Sequence, residues 1–349
     1  MSAPRILFLA DAGAEVGGGH VMRCLTLARA LSSHGAECAF VESRAAAPIL
    51  RRFGWPAQTL LAMADTPDLP ALVDYAAAFA DLFEADAVVL DHYQMAVEAE
   101  DRLRGAERKV IVIDDLADRP HDAALLVDPS FGRRPEAYRA LVPEHTNILT
   151  GPTHALVRPE FASARHRALS RRARHGPVRR ALVSLGLTDL GAITDRVVRA
   201  LINSLDEIRL DLVLGHDAPS IPALTRLADN DRRLHLWVDT AEMASLMADA
   251  DIAVGAGGSS AWERATVGLP SVTVVLADNQ RAMVEQMAAA GLTLAVDAAD
   301  PDFEAQLRLC WNALAGEQTD RWRLTERSSD ACDGRGAERV AEAIVNLLR

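Results

Sequence analysis

Short apolar runs that stop at Gly, Asp or Pro alternate along this chain with longer stretches of helical periodicity, and the whole pattern occurs twice. A buried strand followed by an amphipathic helix that folds back onto the sheet is the βα unit, and its repetition builds a parallel sheet covered on both faces. In the first half the strand candidates are Arg5 to Ala10, Glu37 to Val41, Ala87 to Leu90, Lys109 to Ile113 and Asn147 to Leu149. Helical segments such as Val21 to Ser33 and Leu72 to Phe83 lie between them. The second half repeats the scheme with Ala181 to Leu185, Arg209 to Leu214, Leu234 to Val238, Ile252 to Val254, Ser271 to Val275 and Leu292 to Val296. At 349 residues the chain exceeds one ordinary hydrophobic core. The expected architecture is therefore α/β, with two Rossmann-like, doubly wound domains and a ligand held in the cleft between them. The domains are expected at 1–165 and 181–349, with the last helix able to return to the N-terminal domain.

The boundary is placed at 166–180, because the stretch from His166 to Arg180 is crowded with Arg and carries the turn pair Gly176-Pro177. Such a run suits an exposed linker or an anion-facing hinge. RNA or lipid contact is the competing reading, and it is opposed by 49 Asp and Glu against 37 Lys and Arg, a net charge of −12. That charge repels phosphate backbones and anionic membranes at long range, so no nucleic-acid or membrane partner is expected and any bound phosphate needs a local site. The four cysteines, Cys24, Cys38, Cys310 and Cys332, form no C-x-x-C pair and read as reduced thiols. The first apolar run, from Ile6 to Ala10, meets Asp11 too soon for a signal peptide or membrane span. A cytoplasmic monomer is expected.

Three glycine or polar loops directly follow strand candidates, where an open parallel sheet binds its ligands. The first is Gly17-Gly18-Gly19-His20, opening a helix. Glycines let the backbone approach a ligand closely, free N–H groups at a helix start favour negative charge, and imidazole accepts a proton near neutral pH. His20 is thus a general base on the cleft rim or, equally, a helix cap. The second is Gly255-Ala256-Gly257-Gly258-Ser259-Ser260, followed by Glu263. Its N–H groups and hydroxyls can cradle a diphosphate without a cationic side chain, and Glu263 can accept bonds from ribose hydroxyls. The alternative is a tight strand-to-helix crossover, and the loop is neither a complete G-x-G-x-x-G nor a Walker A sequence. The third is Asp278-Asn279-Gln280-Arg281, in which Asn279 and Gln280 offer donors and acceptors to a substrate, or Asp278 or Asn279 caps the next helix. Asp11, Asp91 and Asp114 end strands and should collect along one edge, and Tyr93 either steers a sugar or is a core or rim aromatic. Adjacent Asp114 and Asp115 point to opposite faces and no third ligand stands at a telling spacing, so neither a metal nor a cofactor is expected.

Taken together, these blocks resemble the UDP-2,4-diacetamido-2,4,6-trideoxy-β-L-altropyranose hydrolase family of pseudaminic acid biosynthesis, whose fold is like that of the GT-B glycosyltransferases. The resemblance rests on the segments 17–25, 114–122 and 151–161, beginning Gly17-Gly18-Gly19-His20, Asp114-Asp115-Leu116 and Gly151-Pro152-Thr153, together with the two second-half loops through Gln280. It implies a GT-B-like fold and a UDP-sugar substrate, with release of UDP by water attack at the anomeric carbon in a pathway serving flagellin glycosylation. It also implies His20 as the base; Gly18, Gly19, Arg23, Tyr93, Asn279 and Gln280 around the sugar; and Gly257, Gly258, Ser259, Ser260 and Glu263 at the nucleotide. Leu187 stands where the family usually has a glycine. A transferase using the same nucleotide sugar and a noncatalytic nucleotide-sugar sensor are the competing functions.

Overall fold

The computed structural model describes residues 3–13, 18–56, 60–62, 68–105, 108–316 and 318–349. The chain divides into two compact units, the first formed by Met1–Leu156 with Arg335–Arg349 and the second by Val157–Gly334.

Unit 1 is built on seven parallel strands: β1 Arg5–Ala10, β2 Glu37–Glu42, β3 Leu60–Ala62, β4 Ala87–Asp91, β5 Lys109–Ile113, β6 Leu125–Asp128 and β7 Asn147–Thr150. Their order is β3-β2-β1-β4-β5-β6-β7. Helices α1 Gly19–Ser33, α2 Ala47–Arg52, α3 Leu69–Leu82 and α4 Val97–Arg104 connect the first five strands. Side chains alternate across each strand, and both faces are apolar. Ile6, Phe8 and Ala10 of β1 join Val89 and Ile111 on one face, while Leu7 and Leu9 join Val88, Leu90 and Val110 on the other. This double burial is why the strands read as continuous apolar runs. Strands β3 and β6 have no counterpart among the sequence candidates. Leu125–Asp128 follows β5 through a loop with no intervening helix, so the βα rhythm that reveals the other strands is missing there.

Unit 2 opens with α5 Pro159–Arg172 and has six parallel strands: β8 Arg180–Ser184, β9 Arg209–Leu214, β10 Leu234–Val238, β11 Ile252–Ala256, β12 Ser271–Val275 and β13 Leu294–Asp297. Their order is β10-β9-β8-β11-β12-β13. Between and after them run α6 Ile193–Leu201, α7 Ile221–Asn230, α8 Met243–Asp249, α9 Ser260–Thr266, α10 Asp278–Ala289, α11 Phe303–Gly316 and α12 Gln318–Ala331. The final helix, α13 Gly336–Leu347, belongs to unit 1, where it packs on α1 and buries Val340, Ala341 and Ile344 in the core.

In both sheets the strand order reverses beside the first strand, between β1 and β4 and between β8 and β11, and ligands of such sheets bind beyond the carboxyl ends at that point. The loops after β4 and β11 therefore occupy the favoured position in their own units.

The Arg-rich stretch departs from the expected linker at 166–180, because α5 runs through it as far as Arg172. Arg165 donates to the carbonyls of Thr266, Ser329 and Cys332, and Arg172 to those of Met247, Ala250 and Val267. The last carbonyls of a helix have no partner within it, and a guanidinium satisfies several at once while matching the negative end of the dipole. The arginines here tie the ends of α8, α9 and α12 to α5. Chain crossings between the units fall at 156–157 and 334–335.

Candidate functional site

In unit 1 the carboxyl edge gathers a charged cluster around Asp91, the last residue of β4. Ala10 pairs with Asp91 across the β1–β4 ladder, and the N–H of Asp11 donates to the Asp91 carbonyl. Gly18 is the N-cap of α1 with φ −103°, and Gly19 begins the helix, so His20 and Arg23 lie one turn apart on the same face. Gly17 falls outside the described residues. His20 is 5% exposed, more enclosed than a rim position, and its ring does not cap the helix. Its Nδ1 lies 2.5 Å from Asp91 Oδ1. Arg23 donates from Nε to Asp91 Oδ2 and from Nη2 to Oδ1, both at 2.6 Å, and from Nη1 to Asp115 at 2.7 Å.

These distances assign the imidazole tautomer. Arg23 Nη2 also lies 3.3 Å from His20 Nδ1, but a lone pair on Nδ1 would face a carboxylate oxygen at 2.5 Å. Nδ1 therefore carries the proton and donates to Asp91, leaving the Nε2 lone pair free, with no hydrogen-bond partner for Nε2 among the described residues. Burial alone would raise the pKa of Asp91, yet Arg23 and His20 hold it well below the usual carboxylate range, so the acceptor stays charged. The Tyr93 ring meets the His20 ring edge-on at 4.5 Å. Burial lowers the pKa of the neighbouring His92, with Asp11 opposing and His20 reinforcing the effect. The nitrogens of Arg23 are engaged by carboxylates, so this residue, expected at the sugar, sets the position of Asp91 and Asp115.

Beneath the same edge, the Tyr138 hydroxyl lies 2.7 Å from Asp114 and 2.8 Å from Asp128. Burial pushes the Asp128 carboxyl up, while the hydrogen bonds from Ser130 and the charge of Arg133 oppose that shift. Arg133 Nε donates to the same Asp128 oxygen at 2.6 Å, and Asp114 accepts the Ala117 N–H at 2.8 Å, which fixes the loop carrying Asp115.

In unit 2, β11 ends at Ala256 and α9 begins at Ser260, with Ser259 as N-cap. The Gly257 N–H donates to the Val274 carbonyl, whereas the N–H groups of Gly258, Ser259 and Ser260 make no backbone hydrogen bond among the described residues. The glycines differ in what they permit. A Cβ on Gly255 would meet Arg264 Nη1 at 2.3 Å, and one on Gly257 would meet Val284 Cγ2 at 2.5 Å. A Cβ on Gly258 would meet nothing within 4 Å, so packing does not require that glycine.

Arg264 is the residue sequence reasoning missed. It is 3% exposed, donates to the Ala256 carbonyl at 2.9 Å and to Ser260 Oγ at 3.2 Å, and forms no ion pair among the described residues. Burial lowers its pKa to about 10, which leaves it cationic at neutral pH directly behind the loop. Its spacing from the glycines gave no signal, since a charge at 264 reads as helix surface until the helix is seen to turn it inward. Glu263 accepts from Arg158 Nε at 3.0 Å, and Arg158 stacks over Phe161 at 4.9 Å. One carboxylate oxygen of Glu263 is thus held and oriented.

Asn279 and Gln280 lie in the first turn of α10, whose N-cap is Ala277 with no side-chain cap, so neither Asp278 nor Asn279 plays that part. Asn279 is exposed. Gln280 accepts from the Leu276 N–H at 3.1 Å through Oε1, which bends its amide back over the loop. At Leu187 the backbone needs no glycine; its carbonyl accepts from Gly215 at 3.2 Å, and it is Gly215 whose Cβ would strike that oxygen.

No family model matches the chain. It is 25% identical over 211 residues to the spore coat polysaccharide biosynthesis protein SpsG of Bacillus subtilis, covering 60% of this chain and 61% of that protein, less than two thirds of the relative's length. It is 22% identical over 245 residues to the UDP-2,4-diacetamido-2,4,6-trideoxy-β-L-altropyranose hydrolase of Campylobacter jejuni, covering 70% of this chain and 81% of the relative. The resemblance seen in the motifs thus extends to detectable similarity. Among solved structures, MurG of Acinetobacter baumannii superposes with a TM-score of 0.66 at 17% identity, over 98% of this chain and 99% of that one. The fold is GT-B-like. Within the GT-B-like chain each Rossmann-like unit presents its candidate residues at the switch point of its own sheet, and no helix of the described residues is long and apolar enough to cross a membrane.

Proposed function

We propose that the chain is a nucleotide-sugar hydrolase that releases UDP by attack of water on the anomeric carbon. The observation that carries this reading is the His20–Asp91 pair, which fixes one tautomer and leaves Nε2 as an acceptor. His20 takes the proton of the attacking water, and the Asp91 carboxylate stabilises the imidazolium that forms. The bond from the anomeric carbon to the diphosphate oxygen breaks, and the electron pair leaves with UDP. Gly258, Ser259 and Ser260 receive that charge through their N–H groups, and Arg264 behind them supplies a fixed positive charge in a site of low dielectric. Glu263 accepts from the ribose, while Gly18, Gly19, Tyr93, Asn279 and Gln280 contact the sugar. Similarity to the Campylobacter jejuni hydrolase supports UDP-2,4-diacetamido-2,4,6-trideoxy-β-L-altropyranose as the substrate.

Incubation with a panel of UDP-sugars, in the absence of any acceptor, should release UDP from that compound alone. In 18O-labelled water the label should enter the sugar; label in UDP would mean attack at phosphorus. His20→Asn should lower turnover by about 10²–10⁴-fold with UDP affinity retained. UDP release that depends on an added acceptor would instead establish a transferase, and tight binding without turnover a sensor.

A further inference from the structure

Unit 2 contains a cavity of about 260 Å³ away from the glycine loop, walled by Arg172, Arg174, Arg179, Arg321, Asp251 and Trp322 among others. Arg179 and Asp251 immediately precede β8 and β11, so the cavity opens at the amino ends of the strands, whereas Gly257 to Ser259 follow β11. A five-residue strand spans roughly 17 Å at about 3.3 Å per residue, which separates the two places. This is the Arg-rich stretch that the nucleotide reading leaves unused. We propose that the cavity is a second anion site, specific for a small phosphate-class ligand, inorganic phosphate or a phosphate monoester.

The charge inventory argues for it. Among the described residues Asp251 is the only carboxylate lining the cavity; it pairs with Arg171 at 2.5 Å and accepts the N–H groups of Arg179 and Arg180. Among the described residues Arg321 donates only to the carbonyls of Leu314, Ala315 and Gly176. Arg172 likewise donates to carbonyls, pairs with no carboxylate, and keeps a buried Nε–H without a partner. Burial lowers its pKa to about 9, the mark of a cation short of counter-charge. The side chains of Arg174 and Arg179, exposed at the mouth, have no hydrogen-bond or ion-pair partner among the described residues. Carbonyl caps orient a guanidinium but do not neutralise it, so four arginines focus uncompensated charge in one concavity. The phosphate geometry matches their forked donors. The dimensions and the chain's net charge of −12 select against a polyanion: a cavity this size admits a phosphate and a small ester group, while a nucleic acid is repelled at long range. Trp322, edge-on to His175 at 5.1 Å, supplies the apolar wall an ester group would meet.

Isothermal titration of the full chain with inorganic phosphate and, separately, glycerol 3-phosphate tests the site. One saturable event should appear on the wild type, weakened by roughly tenfold or more in the double variant Arg174→Ala/Arg179→Ala. Both residues are exposed and unpaired, so the variant should keep the wild-type Tm. The event should persist in Gly258→Ala, which alters the other loop. Tighter binding of glycerol 3-phosphate assigns a monoester as the ligand, and tighter binding of phosphate assigns the inorganic ion. Absence of saturable heat up to about 10 mM of either ligand, or binding that the double variant retains or that Gly258→Ala abolishes, overturns the proposal.

Discussion

A fully buried carboxylate has to be paired, and both oxygens of Asp91 are engaged, by His20 and by the two arms of the Arg23 fork. Neither relation can be read from the sequence, because residues 20 and 91 meet only once β4 has been laid beside β1. His20 and Arg23 share a helix face and could be linked by spacing, but the carboxylate that gives the histidine its tautomer lies 71 positions away. Asp91→Asn should therefore act in two ways. Loss of the charge leaves the buried Arg23 with Asp115 as its remaining carboxylate partner, costing up to about 3–5 kcal/mol of unit 1 stability, read as a fall in its unfolding midpoint. It should also cut turnover by about 10²–10⁴-fold with UDP affinity unchanged, because the amide no longer enforces the Nδ1–H tautomer. Turnover near the wild-type rate would remove Asp91 from the mechanism. The acid limb follows from the same pairing. Since the folded-state pKa is depressed, the stabilisation is complete above the ordinary carboxylate value of about 3.9 and is lost as pH falls through the folded value. Acid unfolding of the wild type, followed by circular dichroism, should show a proton uptake that the Asn variant lacks.

Strands and the loops that follow them are the most readable elements, since a strand buried on both faces reads as an apolar run, as in Ile6 to Ala10 and Ala87 to Leu90. What escaped was whatever depends on a neighbour: β6, which follows β5 with no helix between them, and the arginines of α5, which looked like a solvated linker until the ends of α8, α9 and α12 were seen to meet them. The glycine loop shows the same division, since its composition announces a close approach without saying to what. Gly257 and Gly258 separate the possibilities. Gly257→Ala drives a methyl against Val284 at 2.5 Å and near Gln280 Oε1 at 3.2 Å, and should cost about 1–3 kcal/mol in stability. Gly258→Ala enters open space and should stay within about 0.5 kcal/mol of the wild type. Yet Gly258→Ala should weaken UDP binding by roughly tenfold, because the methyl occupies the path of the phosphate to the N–H groups. Unchanged UDP affinity in that variant would assign the loop to strand crossover alone.

Two units of similar size, each with its own sheet and core, are what the doubled βα rhythm demands, but unit 1 is not a continuous stretch of chain. Its α1 face is closed by α13, whose residues Ala337, Val340, Ala341 and Ile344 are buried against Val21, Cys24, Leu25 and Ala28. Gly336 is there because a Cβ would sit 2.3 Å from the Ala155 carbonyl, so the helix start lies flat on the backbone before the chain leaves the unit. Val340 and Ile344 have no exposed surface, and burying a side chain of that kind is worth about 1.5–3 kcal/mol. The pair alone therefore contributes roughly 3–6 kcal/mol, a large share of the 5–15 kcal/mol that holds an ordinary domain together. A chain ending at Gly334 should retain a folded unit 2, because its sheet and the α5, α11 and α12 packing lie wholly within residues 157–334. Unit 1 of that chain should unfold or melt far earlier. Calorimetry should show one transition largely preserved and the other lost, and hydrogen exchange should assign the lost protection to β1, β4 and α1. UDP affinity, proposed to reside in unit 2, should survive the truncation, whereas turnover, proposed to need His20, should not. A truncated chain that kept both transitions would show α13 to be dispensable and would refute this account of the core of unit 1.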